Sequence, residues 1–270
     1  MGRPVIAPMP LADGLAGLRN RRPVIHSITN PVAIALAAGV LQAVGARPVM
    51  TEALEEMDDV VRAAAAVTVN IGMPSTARAD AMVAAAAAAR QAGRPWVLDP
   101  VGVGASPHRR GLMHALLANR PTVIRGNADE VLALADMGGL ADGIGIDAQA
   151  TVEAALPAAA ALAQATASVV MVTGKVDHVT DGVRSFGVAN GHPMMTRVSG
   201  LGCALTCLTG AALAVEPDPL TAAVLAAALM GVAGEIAATS VAGPATLAAG
   251  IVDTLFGLDA RTFQRTLRVQ

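Results

Sequence analysis

The sequence is poor in aromatic residues, in charges and in cysteines, and each shortage excludes a class of function. Its 270 residues include no tyrosine, one tryptophan and three phenylalanines, which leaves no row of rings on which nucleic-acid bases could stack. Only 15% of the residues are charged, the net charge is -2, and no basic run is present, so neither nucleic acid nor an anionic membrane is expected as a partner. Cys203 and Cys207 do not form the disulfide framework of a small secreted protein.

Apolar residues make up 54% of the chain, enough to bury a sizeable core and to exclude a disordered protein. Two long uncharged stretches, 154–174 and 198–215, are dominated by alanine, glycine, serine and threonine. A membrane span needs about 20 strongly apolar residues, so both stretches are interpreted as buried helices and strands. The N-terminal residues lack the pattern of a signal peptide. These features predict a cytoplasmic protein without membrane contact.

Short β-branched runs alternate with alanine-rich helical stretches along the chain. Predicted strands cover 24–29, 47–51, 67–71, 96–98, 122–125 and 169–172. Predicted helices between them cover 31–44, 76–91, 112–118 and the segment from GNADE to about 136, and a further alanine-rich helix precedes 169. A hairpin is predicted over 176–188, and helices beyond Gly202 with breaks near 216–219 and 243–244. Because parallel strands need crossover connections, the pattern predicts one α/β domain over residues 1–270, a three-layer αβα sandwich with a mainly parallel central sheet.

Polar residues follow four of the predicted strands, in the segments HSITN, LDPVGVG, IRGNADE and VTGK. Ligands of open α/β sheets bind at the carboxyl ends of the strands. The residues that this rule brings to one rim are His26, Asn30, Asp99, Arg125, Asn127, Glu130, Thr173 and Lys175. Any one of them could instead be a turn or a helix cap, since such residue types favour those positions.

Two glycines, Gly200 and Gly202, stand directly before an apolar helix. Free N–H groups at a helix start, together with the helix dipole, bind anions, although glycines before a helix also form simple turns. No Gly-Lys-Ser/Thr follows, so this is not a Walker A loop. Cys203 falls in the first turn, where the dipole would lower the pKa of the thiol; the alternative is a small buried apolar residue. The histidines and cysteines lack zinc-ligand spacing, and no G-x-S-x-G elbow is present.

Together the motifs HSITN, GARPVM, VLDPVGVGA, TVIRGNADE, VVMVTGKVDHVTDG and NGHPMMTRVSGLGC resemble the hydroxyethylthiazole kinase family of the ribokinase-like superfamily. The resemblance runs from about residue 23 to about residue 258. It implies a ribokinase-like fold and transfer of the γ-phosphoryl group of ATP to the primary alcohol of 4-methyl-5-(2-hydroxyethyl)thiazole, with Mg²⁺, in thiamine salvage. It also implies a homotrimer with active sites between subunits.

The resemblance further implies roles for individual residues. The catalytic group comprises Gly200, Gly202 and Cys203, with Cys203 in the position of the aspartate base of most superfamily members. The remaining implied contacts are ATP at Arg125, Thr173 and Asn127; the thiazole alcohol at Met50, Asn30 and Gly200; and the metal at Asp99 and Glu130, directly or through water.

Leu201 stands where the family usually has a small or hydroxylated residue, and Ser199 replaces the usual threonine. The Leu201 side chain would either point into the core or narrow the approach of the phosphate. Two alternative functions stay open at this point. One is another ribokinase-like kinase acting on a hydroxymethylpyrimidine, a sugar or a related vitamin alcohol. The other is a protein that binds thiazole and nucleotide but turns over poorly.

Overall fold

A sheet of eight strands forms the centre of the part of the chain that the structure describes. The computed structural model describes residues 8–139 and 150–270. The strands are β1 (Val24–Ile28), β2 (Arg47–Val49), β3 (Ala66–Asn70), β4 (Trp96–Asp99), β5 (Val123–Asn127), β6 (Val169–Thr173), β7 (Asp177–Thr180) and β8 (Ser185–Val188). Their order across the sheet is β2-β1-β3-β4-β5-β6-β7-β8. The strands from β2 to β6 are parallel, and β7 and β8 add an antiparallel hairpin.

Helices connect the parallel strands and continue beyond the hairpin. They are α1 (Pro8–Arg21), α2 (Ile34–Ala43), α3 (Met57–Ala63), α4 (Thr76–Gln91), α5 (Pro107–Leu117), α6 (Ala128–Met137), α7 (Val152–Thr166), α8 (Leu201–Leu213), α9 (Pro219–Ala238), α10 (Pro244–Gly257) and α11 (Ala260–Thr266). Short 3₁₀ turns lie at Leu54–Glu56, Val103–Ala105 and Pro193–Arg197.

The helices form two layers with separate apolar cores on the two faces of the sheet. The core on one face contains side chains of α1, α2 and α8 to α11, and the core on the other face contains side chains of α3 to α7. The strands serve both cores by alternation: Val169 and Met171 of β6 point to the first core, and Val170 and Val172 point to the second. The predicted three-layer αβα sandwich with a mainly parallel sheet is therefore confirmed.

Helix α9 has the length and hydropathy of a membrane-spanning helix, with a mean hydropathy of 1.9 over its apolar window. However, 83% of that window is buried inside the protein, where α9 packs between α8 and α10. Its apolar character on all sides is thus that of a central core helix. The uncharged stretches 154–174 and 198–215 likewise form α7 with β6, and α8 with its preceding loop, as predicted.

Candidate active site

Helix α8 begins at the carboxyl edge of the parallel sheet, directly after a glycine with a left-handed backbone. Gly200 has φ +78°, and a Cβ at this position would lie about 3 Å from Ala33, so both conformation and space favour glycine. The N–H groups of the first turn of a helix have no acceptor within the helix and carry its positive dipole end. The Leu201 side chain is 7% exposed and belongs to the apolar core. Of the two alternatives for Leu201, the structure therefore has the one that leaves the helix start open.

The guanidinium of Arg125 lies against this helix start. Its Nη2 donates to Thr173 Oγ1 at 2.8 Å, and its Nη1 lies 3.7 Å from Asp99 Oδ2. A Cβ on Gly202 would fall 2.6 Å from Nη1 of Arg125, so glycine lets the cation approach the backbone of α8. Arg125 Nε is buried and has no hydrogen-bond partner among the described residues. The strand ends of β5 and β6 and the start of α8 thus converge on one buried cation with a free donor.

The Cys203 thiol lies next to this cation, between two asparagine amides. Asn30 Nδ2 donates to Sγ at 3.0 Å, and Asn70 Nδ2 donates to it at 3.3 Å. Burial raises the pKa of the Cys203 thiol to about 11, and the nearby Asp99 carboxylate adds to the increase. The prediction that the dipole of α8 lowers this pKa is wrong, because the loss of water and the neighbouring negative charge outweigh the dipole. At neutral pH Cys203 is a neutral thiol.

Asp99 is fully buried beneath the thiol. Its Oδ2 accepts hydrogen bonds from Asn70 Nδ2 at 2.6 Å and from Thr206 Oγ1 at 2.7 Å, whereas Oδ1 has no partner among the described residues. Burial raises the pKa of Asp99 to about 6, although Arg125 lowers it. Asn70 and Thr206 were not singled out from the sequence. The sequence does carry a signal for each of them. Asn70 is the polar residue that ends the apolar run VTVN, and Thr206 lies less than one helical turn beyond Cys203.

Asn127 and Glu130 form the N-terminal cap of α6. Asn127 Oδ1 accepts from the Glu130 N–H at 2.8 Å, and Glu130 Oε2 accepts from the Asn127 N–H at 2.9 Å. Glu130 Oε1 also accepts from the Gly102 N–H, which fixes the loop after β4. The cap fixes the direction of both side chains at this strand end. The assignment of Asn127 to ATP stays a prediction.

The end of β2 lies beside the end of β1, where Met50 and Asn30 follow their strands. Met50 is half-buried against the apolar core, and the described contacts of the Asn30 side chain are to Asn70 and Cys203. Buried His26 forms a hydrogen bond through Nε2 with the Thr51 carbonyl at 3.0 Å, joining the two strand ends. One connected cluster therefore forms at the strand ends and the start of α8, and Met50 lies at the neighbouring strand end. The members of this cluster are Gly200, Gly202, Cys203, Asn30, Asp99, Arg125 and Thr173.

Carboxylates are sparse in this cluster. Among residues 8–139 and 150–270 no group of three or more histidine, cysteine, aspartate or glutamate side chains is arranged to hold a metal ion. Asp99 and Glu130 are close enough that the Glu130 charge raises the pKa of Asp99. Two carboxylates, one with an unpartnered oxygen, suit a cation that takes its other ligands from phosphate and water.

Sequence comparisons agree with the geometry. The model of the hydroxyethylthiazole kinase family matches residues 15–261. A hydroxyethylthiazole kinase of Granulibacter bethesdensis is 49% identical over 251 residues, which are 93% of this chain and 91% of the relative. The hydroxyethylthiazole kinase of Cereibacter sphaeroides is 47% identical over 253 residues, covering 94% of this chain and 95% of the relative.

Structural comparisons give the same picture. Hydroxyethylthiazole kinase from Pyrococcus horikoshii superposes with a TM-score of 0.90 at 35% identity, covering 97% of this chain and 98% of that one. A ribokinase-like superfamily protein from Enterococcus faecalis superposes with a TM-score of 0.63 at 14% identity, covering 90% and 89%. The pyridoxal kinase of Staphylococcus aureus, in complex with AMP-PCP and pyridoxal, has a TM-score of 0.57 at 17% identity and covers 79% and 88%. The last two similarities concern the fold, which is ribokinase-like.

Proposed function

Because the chain belongs to the hydroxyethylthiazole kinase family, we propose that it transfers the γ-phosphoryl group of ATP to the primary alcohol of 4-methyl-5-(2-hydroxyethyl)thiazole. The protein is an enzyme, a kinase of the ribokinase-like fold. The product of this step would be the phosphate ester of the thiazole alcohol, which serves thiamine salvage.

One observation carries the proposal: a buried arginine, a helix N-terminus and an amide-bound thiol meet at the carboxyl edge of the sheet. Phosphoryl transfer needs charge stabilisation and in-line positioning more than it needs covalent help from the protein. Arg125 and the first-turn N–H groups of α8 supply positive charge for the γ-phosphoryl oxygens. Thr173 fixes the guanidinium through its hydroxyl. In this proposal the transferring group lies at the start of α8, between Arg125 and the thiol.

The acceptor alcohol would lie on the Asn30 side of Cys203, and the thiazole ring near Met50. The amides of Asn30 and Asn70 fix the position of Sγ, and the neutral thiol orients the substrate hydroxyl. In a loose transition state the bond between the attacking oxygen and phosphorus is little formed, so the hydroxyl proton is lost late, to a phosphoryl oxygen or to water, and a strong base is not required. The polarizable Met50 thioether suits contact with a sulfur heterocycle.

Magnesium would be held by Asp99 and Glu130, directly or through water. The unpartnered Oδ1 of Asp99 fits this role, and Mg²⁺ commonly binds one or two carboxylates together with substrate phosphates. When bound, the ion would neutralise charge on the phosphate oxygens. The surrounding side chains keep Asp99 in place, since Asn70 and Thr206 both donate to its other oxygen.

We also propose a homotrimer with active sites between subunits, located in the cytoplasm. Two features support this. Both cysteines are free and buried, which suits a reducing compartment. The exposed apolar side chains Val32, Leu54 and Met73 follow the neighbouring strands β1, β2 and β3, so they lie at the edge of the sheet that carries the site.

A phosphotransfer assay tests the proposal. Purified protein would be incubated with Mg-ATP and hydroxyethylthiazole, with hydroxymethylpyrimidine as the control acceptor, and the phosphorylated products would be quantified. We expect phosphorylated thiazole and no phosphorylated pyrimidine. Binding of thiazole and ATP without product would instead identify a catalytically weak binding protein. Absence of thiazole binding would contradict the substrate assignment.

A further inference from the structure

Arg78 joins three segments next to the acceptor side of the proposed site. Its Nη1 lies 2.7 Å from Glu52 Oε1, in the loop after β2, and its Nη2 donates to the Thr29 carbonyl, after β1, at 2.6 Å. The residue itself belongs to α4, which follows β3. Because β2, β1 and β3 are neighbours in the sheet, one side chain links the carboxyl ends of three adjacent strands.

The position of Arg78 in its helix indicates that its charge is stabilised by the contacts with Glu52 and Thr29 and not by the helix. Arg78 lies in the first turn of α4, where its N–H donates to the Ser75 cap, and a cation at a helix N-terminus opposes the dipole. The side chain is only 14% exposed, and that of Glu52 is 31% exposed. Half-buried ion pairs resist screening better than surface pairs do. The charge therefore gains its stabilisation from Glu52 and the Thr29 carbonyl.

Both contacts of Arg78 are close in sequence to the residues proposed to contact the thiazole alcohol. Thr29 directly precedes Asn30, so a donor on its carbonyl fixes the peptide unit from which the Asn30 side chain extends to Cys203. Glu52 stands two residues beyond Met50. The hydrogen bond between His26 and the Thr51 carbonyl is a second link between the same strand ends.

We propose that Arg78 is a positioning residue that sets the separation of the Met50 and Asn30 loops, and with it the affinity for the acceptor alcohol. The inference rests on the proposed thiazole site. The described contacts of Arg78 lie in the loops after β1 and β2 and at the start of α4, whereas the ATP-side residues Arg125 and Thr173 belong to β5 and β6. Loss of Arg78 should therefore change the acceptor side of the reaction and leave the nucleotide side unchanged.

The test compares Arg78→Ala, Arg78→Lys and Glu52→Gln with the control Arg90→Ala. Arg90 is on the same helix but at its far end, where Nη1 donates to the Ala118 carbonyl. Arg78→Ala should raise KM for hydroxyethylthiazole about tenfold while KM for ATP and kcat stay within about threefold. Glu52→Gln and Arg78→Lys should show smaller increases. In the double variant Glu52→Gln/Arg78→Ala, KM should equal that of Arg78→Ala alone.

A second readout does not depend on turnover. Hydrogen exchange of the amides in residues 50–56 should be faster in Arg78→Ala than in the wild type or in Arg90→Ala. Equal exchange in all three proteins, or KM values for both substrates rising together, would overturn the inference. A wild-type protein that does not phosphorylate the thiazole would refute the proposed function instead, and the exchange experiment would still decide whether Arg78 holds the loop. Should Arg78→Ala fail to fold, Glu52→Gln and Arg78→Lys give the same comparison.

Discussion

At the scale of single residues, the protonation state of the Cys203 thiol determines whether this residue can act as a general base. Burial raises its pKa to about 11, so at pH 7.5 the thiol is predominantly neutral. A thiolate general base would give a pH–rate profile that rises towards the thiol pKa. A neutral thiol that only orients the hydroxyl gives no such rise below pH 9.

The corresponding prediction concerns Cys203→Ser. Serine keeps a small group that can accept from the Asn30 and Asn70 amides, so kcat should fall by less than about tenfold, and the pH–rate profile should keep its shape. Removal of a true general base costs about 10²–10⁴-fold in rate. Steady-state kinetics between pH 6 and pH 9 would check this, with Cys207→Ser as the control, because Cys207 lies one turn further along α8. Complete loss of turnover, with both substrates still bound, would contradict the orienting role.

At the scale of secondary-structure elements, the start of α8 lies so close to Arg125 that position 202 requires glycine. In Gly202→Ala the new Cβ would lie 2.6 Å from Arg125 Nη1. Moving the buried guanidinium would break its hydrogen bond to Thr173, while alanine favours the helix, so the free energy of unfolding should fall by no more than about 2 kcal/mol and the protein should stay folded. The displaced guanidinium should, however, raise KM for ATP and lower kcat, each by about tenfold or more.

Gly111→Ala is the matched control for that substitution. Gly111 is in α5, it is exposed, and a Cβ there would have open space. Alanine is the better helix former, so the free energy of unfolding of this variant should be up to about 1 kcal/mol higher than that of the wild type. Its kinetics should be those of the wild type. Chemical denaturation and steady-state kinetics on both variants separate the two effects. Identical kinetics in Gly202→Ala and Gly111→Ala would show that the contact with Arg125 has no role in catalysis.

The elements also show how far the sequence predicts this protein. The six parallel strands and the hairpin were predicted within a few residues, because buried β-branched runs bounded by polar residues leave few alternatives. Helix α3 was missed because its seven residues are too few for a clear helical period. The charged members of the cluster, Asp99 and Arg125, were predicted because functional groups commonly lie at the carboxyl ends of parallel strands. Asn70 was missed, and the pKa of Cys203 was predicted in the wrong direction, because both depend on which side chains become buried together.

For the whole molecule, the proposed homotrimer would place a neighbouring subunit at the acceptor side of the site. Val32, Leu54 and Met73 are 66%, 54% and 57% exposed, and they lie at the edge of the sheet where Met50 and Asn30 are found. Exposed apolar side chains that cluster in this way are typical of an interface between subunits. A charge placed among them should prevent association and remove any contribution of the neighbouring subunit to the acceptor side.

We therefore expect the wild type to have a mass of about 81 kDa in solution, three times the 27.0 kDa of one chain. Leu54→Glu should shift the protein towards the monomer and raise KM for the thiazole alcohol in proportion to the loss of trimer. Val183→Glu is the control, because Val183 is 89% exposed in the turn of the β7–β8 hairpin, at the far edge of the sheet. Light scattering and kinetics on the same samples check both parts. A monomeric Leu54→Glu protein with unchanged KM would show that one subunit holds the whole acceptor site, since dissociation would then have removed none of its contacts.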